Sequence, residues 1–339
     1  GLLPETVAAG QTVEVIVQYR GEALQEVDRA IALADTDGWY PHAGDIDRAR
    51  YEASFRWPKK YKLLAPGHRV DGGEKPDGRA WEKRVLDRRT FGYTFEIGKY
   101  AIETRQIGHV ALTLAFDPEG RVLEREVKKE IGDTIAEALG YFEEKFGPYP
   151  SDELTVVTSP RAFSQSMAGF ITLSDLMMLD LGVWNLFVGL EDRRTVIAHE
   201  LAHQWWGHQV GWESYRDAWL SEALANYSAV VYHRDLIEKD EEKKKRDDEI
   251  RFGPMTGWQA ALTTELADGR AVESIGPVVL GTRLFSSHAN DAYEPIIYRK
   301  GALIFDMLGR GFGREGFPKI LAQVAKIYPC RKSWCLGSI

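Results

Sequence analysis

His199-Glu200-Leu201-Ala202-His203 constrains this chain more than any other stretch, because its residues make sense together only on a helix. Residues four apart share one helical face, so both imidazoles can reach one ion. Glu200 lies roughly 100° around from His199, within reach of a water at that ion but off the ligand face. Glu222 follows after residues 204–221. Two histidines and a glutamate make a catalytic zinc set of three protein ligands, with the fourth position left to water. The fold must therefore bring a second segment, carrying Glu222, against the first helix. The chemistry implied is that of a zinc hydrolase, a peptidase foremost, with one Zn2+ per chain held by His199, His203 and Glu222.

The bare pattern arises by chance in roughly one chain in a hundred of this length, so its surroundings decide how much it means. Residues 195–210 read as one helix, apolar on one side and weakened toward its end by Gly207 and Gly211. Residues 212–217 read as a connector. Residues 218–232 read as a second, Ala- and Leu-rich helix with Asp217 as its N-cap. Glu222 falls in its first turns among apolar neighbours, where a lone carboxylate is costly unless it binds a cation. His208, five residues past His203, points roughly 140° away from the ligand face and is read as lying behind the ligands or on the surface. Asp217 and Glu213 are candidate acceptors for the histidines' outer N–H groups.

These residues resemble the M1 family of zinc aminopeptidases, the gluzincins. The motif, the gap to Glu222 and the block Trp219-Leu-Ser-Glu-Ala-Leu-Ala225 match that family's pattern. Residues 141–150 and 154–157 resemble the helix and strand that open its catalytic domain, and residues 38–55 resemble late strands of its N-terminal β domain. Tyr298-Arg-Lys-Gly301 resembles the family's Tyr-x-Lys-Gly block, whose tyrosine stabilises the transition state. The resemblance implies Glu200 and Tyr298 as the catalytic pair, as general base and donor to the developing oxyanion. It also implies a peptide substrate lying against Met167, Ala168 and Gly169, with Tyr293 lining the same cleft.

Two departures concern recognition of the substrate's amino group. The family's Gly-x-Met-Glu-Asn segment corresponds here to Ser164-Gln-Ser-Met-Ala-Gly-Phe170, with Ala168 in place of the glutamate. The family's Pro-Cys-x-Asp-Glu-Pro segment corresponds to Pro41-His-Ala-Gly-Asp45, without that glutamate. The hydrolytic residues are complete while the amine anchors are altered. An aminopeptidase is the first expectation, a zinc endopeptidase with relaxed terminal specificity the second, and a catalytically silent binding relative the third.

The remaining features bound the setting. A length of 339 residues suggests about two domains and ample core. The net charge of −8 argues against a nucleic-acid partner. Residues 176–190 are the nearest approach to a membrane span and contain Asp180 and Asn185, so no transmembrane segment is expected. A soluble chain, cytoplasmic or exported, fits these features; they carry no reading of oligomeric state. Cys330 and Cys335 read equally as a local disulfide or as two thiols. The start at Gly1-Leu-Leu-Pro4 reads as that of a fragment or processed chain, and the short stretch after Leu308 as either a truncation of a larger protein or a tail that is not native.

Strand-like runs fall at residues 12–18, 51–57, 90–96, 100–107 and 110–116, with a turn cluster at 71–78. Residues 117–120 read as a boundary, 122–146 as an amphipathic helix, 238–249 as a solvated charge run and 269–288 as a long loop near the cleft. The expected fold class is α+β. A partial N-terminal β-sheet domain over residues 1–118 precedes a mainly helical, thermolysin-like catalytic domain with a small mixed sheet over residues 119–339.

Overall fold

Runs of β-branched and aromatic residues become strands wherever a partner strand lies beside them, and the first hundred residues illustrate both outcomes. The computed structural model describes residues 8, 10–22, 24–27, 30–33, 39–40, 48–122, 124–179, 193–239, 248–285, 290–313 and 315–328. One sheet is ordered β1-β2-β7-β4, from β1 (Leu24–Val27), β2 (Ala30–Leu33), β4 (Lys62–Leu64) and β7 (Glu96–Gly98). A second is ordered β3-β6-β5, from β3 (Ala49–Pro58), β5 (His68–Glu74) and β6 (Arg79–Thr90). The alternating run at 12–18 forms no strand. Val15 and Ile16 are 66% and 79% exposed, and the run meets no partner ladder among the described residues. The expected strand at 90–96 is likewise interrupted, β6 ending at Thr90 and β7 starting at Glu96.

The third sheet supports the site. Its order is β11-β12-β10-β9-β8, from β8 (Ala101–Ile107), β9 (Val110–Phe116), β10 (Glu153–Ser159), β11 (Gln165–Met167) and β12 (Phe170–Ser174). β10 runs parallel to both β9 and β12, while the outer strands β8 and β11 run antiparallel to their neighbours. Parallel neighbours need a long crossover, and α1 (Arg125–Phe146) supplies it between β9 and β10. The mixed sheet thus takes β8 and β9 from before the expected division at residue 118, because Val110, Leu112 and Leu114 pack in the same core as α1.

The helices follow as α2 (Asp175–Met178), α3 (Arg193–Ala202), α4 (Trp219–Lys239), α5 (Asp248–Thr263), α6 (Asn290–Glu294), α7 (Gly301–Phe312) and α8 (Gly316–Ile327). The main core joins β9, β10, α1, α3 and α4. Phe142 of α1 meets Trp205 and Tyr232 at ring-centroid distances of 5.8 and 6.0 Å. Full burial of large aromatic rings contributes on the order of 2–3 kcal/mol each. That burial fixes the two helices bearing the motif against one another. The expected loop at 269–288 instead contains two short 3-10 turns, Val272–Ile275 and Val278–Leu284. Residues 41–45, 180–190 and 240–247, and both cysteines, lie outside the described residues.

Candidate metal centre

Helix α3 ends at Ala202, eight residues short of the expected end at 210. His203 still donates its backbone N–H to His199, and then the chain folds back through Gly207. Gly207 has φ +123°, and a β-carbon there would lie 2.7 Å from Ser221 Oγ, so glycine is required on both counts. This turn carries the Trp206 carbonyl to His203 Nδ1, 3.0 Å away, with Ser221 Oγ at 3.2 Å. Because a carbonyl only accepts, Nδ1 carries the proton and Nε2 is aimed at the centre.

Three atoms converge there. His203 Nε2 lies 3.1 Å from His199 Nε2 and 3.1 Å from Glu222 Oε2, and His199 Nε2 lies 3.5 Å from the same oxygen. These three are the only group of three or more His, Cys, Asp or Glu that could hold a metal ion among the described residues. A tetrahedral zinc with ligands at 2.0–2.1 Å holds its donor atoms about 3.3–3.4 Å apart. The triangle therefore fits zinc in size and in donor chemistry.

Electrostatics is consistent with a cation site. Glu222 is held well below the usual carboxylate range by His203 and His199, against burial. His203 is pushed up to about 9 despite burial, chiefly by Glu222, while burial holds His199 down. Glu200 is 7% exposed and pushed up to about 8 by burial. His199 Nδ1 makes no hydrogen bond of good geometry. Asn226, fully buried one turn beyond Glu222, acts on that imidazole, and neither of its amide atoms has another partner. The histidines' outer neighbours are thus Trp206, Ser221 and Asn226. Asp217, expected as N-cap and as a candidate acceptor, instead takes a hydrogen bond from Ser214 Oγ at 2.8 Å.

Tyr298 reaches the centre from a π-helical turn, Pro295–Lys300, a geometry that recurs at functional sites. Its ring stacks toward His199 at a centroid distance of 6.2 Å. Burial and the negative charge of Glu222 hold its hydroxyl well above its ordinary pKa, so it remains a donor. Tyr293 lies 6.3 Å from Tyr298 and stacks on Phe285 at 3.7 Å, and Glu222 also acts on its hydroxyl.

Met167, Ala168 and Gly169 are not gathered into this set. They form the tight connection between β11 and β12, where Met167 pairs with Phe170 and Gly169 takes φ +74°. Ala168 is 1% exposed and packs in an apolar cluster with Trp57, Tyr93 and Phe95. A carboxylate at position 168 would enter that cluster rather than face the metal ligands. Gln204 pins the turn: its amide donates to the Met167 carbonyl and Ser166 Oγ and accepts from the Gly169 N–H. His208 is buried behind the ligands, as the helical geometry suggested. The Ser166 carbonyl accepts from Nε2 at 3.0 Å, and Thr90 Oγ1 lies 3.2 Å from Nδ1. Asn226, Ser221, Gln204 and Thr90 carried no sequence signal, because their roles arise from the turn after α3.

A helix pair presenting two imidazoles and a carboxylate to one ion, beside a buried carboxyl and a tyrosine hydroxyl, defines a metallohydrolase type of centre. Residues 132–332 match the family model described as "Peptidase family M1 domain", and the chain belongs to that family. It is 26% identical over 202 residues to Aminopeptidase M1-B of Oryza sativa subsp. japonica, covering 58% of this chain and 21% of that protein. It is 25% identical over 290 residues to glutamyl aminopeptidase of Bos taurus, covering 80% of this chain and 27% of that protein. The chain thus spans about a quarter or less of these relatives. Among solved structures, an M1 zinc metallopeptidase from Deinococcus radiodurans has a TM-score of 0.66 at 19% identity, covering 92% of this chain and 65% of the other. At that identity the likeness is one of fold.

Proposed function

We propose that this chain carries the hydrolytic centre of a zinc aminopeptidase acting on peptide substrates. The observation that carries the reading is the triangle of His199, His203 and Glu222 donor atoms with Glu200 beside it. Aminopeptidase relatives support the exopeptidase form, and a mutant of the Deinococcus radiodurans protein was solved with a Tyr-Ser-Ala substrate.

Zinc, when bound, supplies Lewis-acid polarisation of the scissile carbonyl and activates water as the nucleophile. Glu200 takes the proton of the attacking water on its carboxylate and hands it to the leaving nitrogen. Its raised pKa suits both halves of that task. Tyr298 donates its hydroxyl proton to the carbonyl oxygen as negative charge develops, a contribution worth about 3 kcal/mol for single donors of this kind. Asn226 and Ser221 orient the two imidazoles, and Tyr293 walls the cleft beside Tyr298. No helix among the described residues is long and apolar enough to cross a membrane.

The test is mass spectrometry of a mixed peptide pool, half of it N-acetylated, incubated with the zinc-loaded protein. Stepwise shortening of free N-termini alone is the expected result. Internal cuts in both halves would establish an endopeptidase instead, a reading favoured by the lack of any carboxylate among residues 165–169. No cleavage by protein with confirmed zinc would favour a binding role.

A further inference from the structure

Tyr298 owes its place at the centre to an uncommon backbone geometry. The Gly301 N–H donates to the Ile296 carbonyl five residues back, the bond that marks the π-helical turn Pro295–Lys300. Such bonding is rare and survives mostly as single turns, so the surroundings must favour it over the α-helical alternative.

Packing fixes the two ends of the turn. Ile296 and Ile297 are 0% and 1% exposed, in the cluster that also holds Leu262 and Leu284. Gly301 lies so close to α4, the helix that carries Glu222, that a β-carbon would stand 2.5 Å from Ala223 Cβ. Tyr298, Arg299 and Lys300, between these anchors, are only partly buried. Two ion pairs hold that middle stretch. Arg299 Nε donates to Glu294 Oε1 at 2.9 Å, with both side chains mostly buried. Lys300 Nζ lies 3.2 Å from Glu273 Oε1, but Glu273 is 55% exposed, so water screens this second pair.

The spacing of the buried pair is informative. Residues five apart point about 140° from one another on an α-helix and face different sides. In a π turn, five residues close one ring of backbone bonding, and the two side chains stand one above the other. The bond between Glu294 and Arg299 thus belongs to the π register and is lost in the α register. The Glu294 charge also acts on the Tyr298 hydroxyl.

We propose that Glu294 and Arg299 are positioning residues that lock the π turn and so keep Tyr298 facing His199 and the metal centre. The inference rests on the reading of Tyr298 as the donor to the oxyanion. Neither residue touches the substrate in this role.

The experiment is a kinetic cycle on a free tripeptide, with zinc content measured alongside, for the wild type, Glu294→Ala, Tyr298→Phe and the double variant. Glu294→Ala should lower kcat about five- to tenfold with KM and zinc content unchanged, because the donor serves the transition state alone. The double variant should be no slower than Tyr298→Phe, since a hydroxyl that is absent cannot be misplaced. Additive losses in the double variant, or an unchanged kcat in Glu294→Ala, overturn the proposal. If Glu294→Ala fails to fold, Glu294→Gln, which keeps the side chain's size, takes its place in the cycle. Hydrogen exchange over residues 296–301 reads the lock without turnover. Exchange about five- to tenfold faster in the variant, with α4 unchanged, is expected, and equal exchange overturns the lock. Wild-type protein that holds zinc and cleaves nothing removes the peptidase reading, and the exchange result alone then decides whether the pair holds the turn.

Discussion

His203 Nε2 stands 3.1 Å from Glu222 Oε2, and this contact makes the metal-free centre hold a proton where a cation belongs. Glu222 remains ionised and the His203 imidazole is raised to about 9. A buried carboxylate among apolar helix residues is thereby compensated in either state, by the imidazolium or by the metal.

Zinc binding must displace that proton. At pH 7 the neutral His199 and ionised Glu222 have none to give, so His203 releases about one proton per zinc, and Glu200, itself raised to about 8, can give up a second to the arriving cation. Apparent affinity then rises with pH, by about tenfold or more per unit, until pH nears 9. Calorimetry in buffers of different ionisation enthalpy measures the proton count. Zero release would mean that His203 is already neutral in the metal-free protein.

Glu200→Gln removes the proton acceptor and leaves all three donor atoms in place. Zinc content should stay near stoichiometric while kcat falls by about 10²–10⁴. Metal analysis and peptide turnover on one preparation read both quantities. Turnover at the wild-type rate would take Glu200 out of the reaction.

Asn226 is fully buried on α4 with both amide atoms unpartnered, and it acts on His199. Its role is to orient that imidazole. Asn226→Ala should weaken zinc binding by about 10–100-fold, as outer partners of metal histidines do, while the fold persists. Asp217→Ala, whose carboxylate serves Ser214, should leave zinc affinity unchanged. Equal zinc affinity in Asn226→Ala and the wild type would assign Asn226 to packing alone.

The metal set was legible in the sequence because helical spacing alone aligns His199 with His203 and sets Glu200 beside them. The strand at 110–116 was legible as a strand, but the sheet it joins was not, since local pattern placed it with the N-terminal domain and its partner β10 lies about 40 residues on. The turn after α3 was not legible either. Its path depends on a positive φ at Gly207 and on contacts with Ser221, which lies 14 residues away in sequence and has no periodic signature. The run at 12–18 misled for the opposite reason, since alternation reports an amphipathic face and not the partner that would cover it. Ala168 shows a third limit. A motif alignment gives the residue facing a substrate only if the backbone keeps its register, and here the two-residue turn at 168–169 directs the side chain into the core.

His208 should set part of the protein's acid sensitivity. Burial first, then Arg88, pushes its pKa down to about 3, whereas an unfolded histidine titrates near 6.5. The unfolded state therefore takes up a proton that the folded state refuses. Stability is intact above about pH 6.5 and falls as pH drops toward 3, with a slope of up to about 1.4 kcal/mol per pH unit from this residue. His208→Gln removes that proton uptake, and its amide can still donate to the Ser166 carbonyl. Denaturant unfolding between pH 4 and 7 should give a shallower acid limb for the variant than for the wild type, even where its stability at pH 7 is lower. Parallel limbs would mean that His208 is protonated in the folded protein, and the cationic surroundings of Arg88 would then need a counter-charge of their own at acid pH.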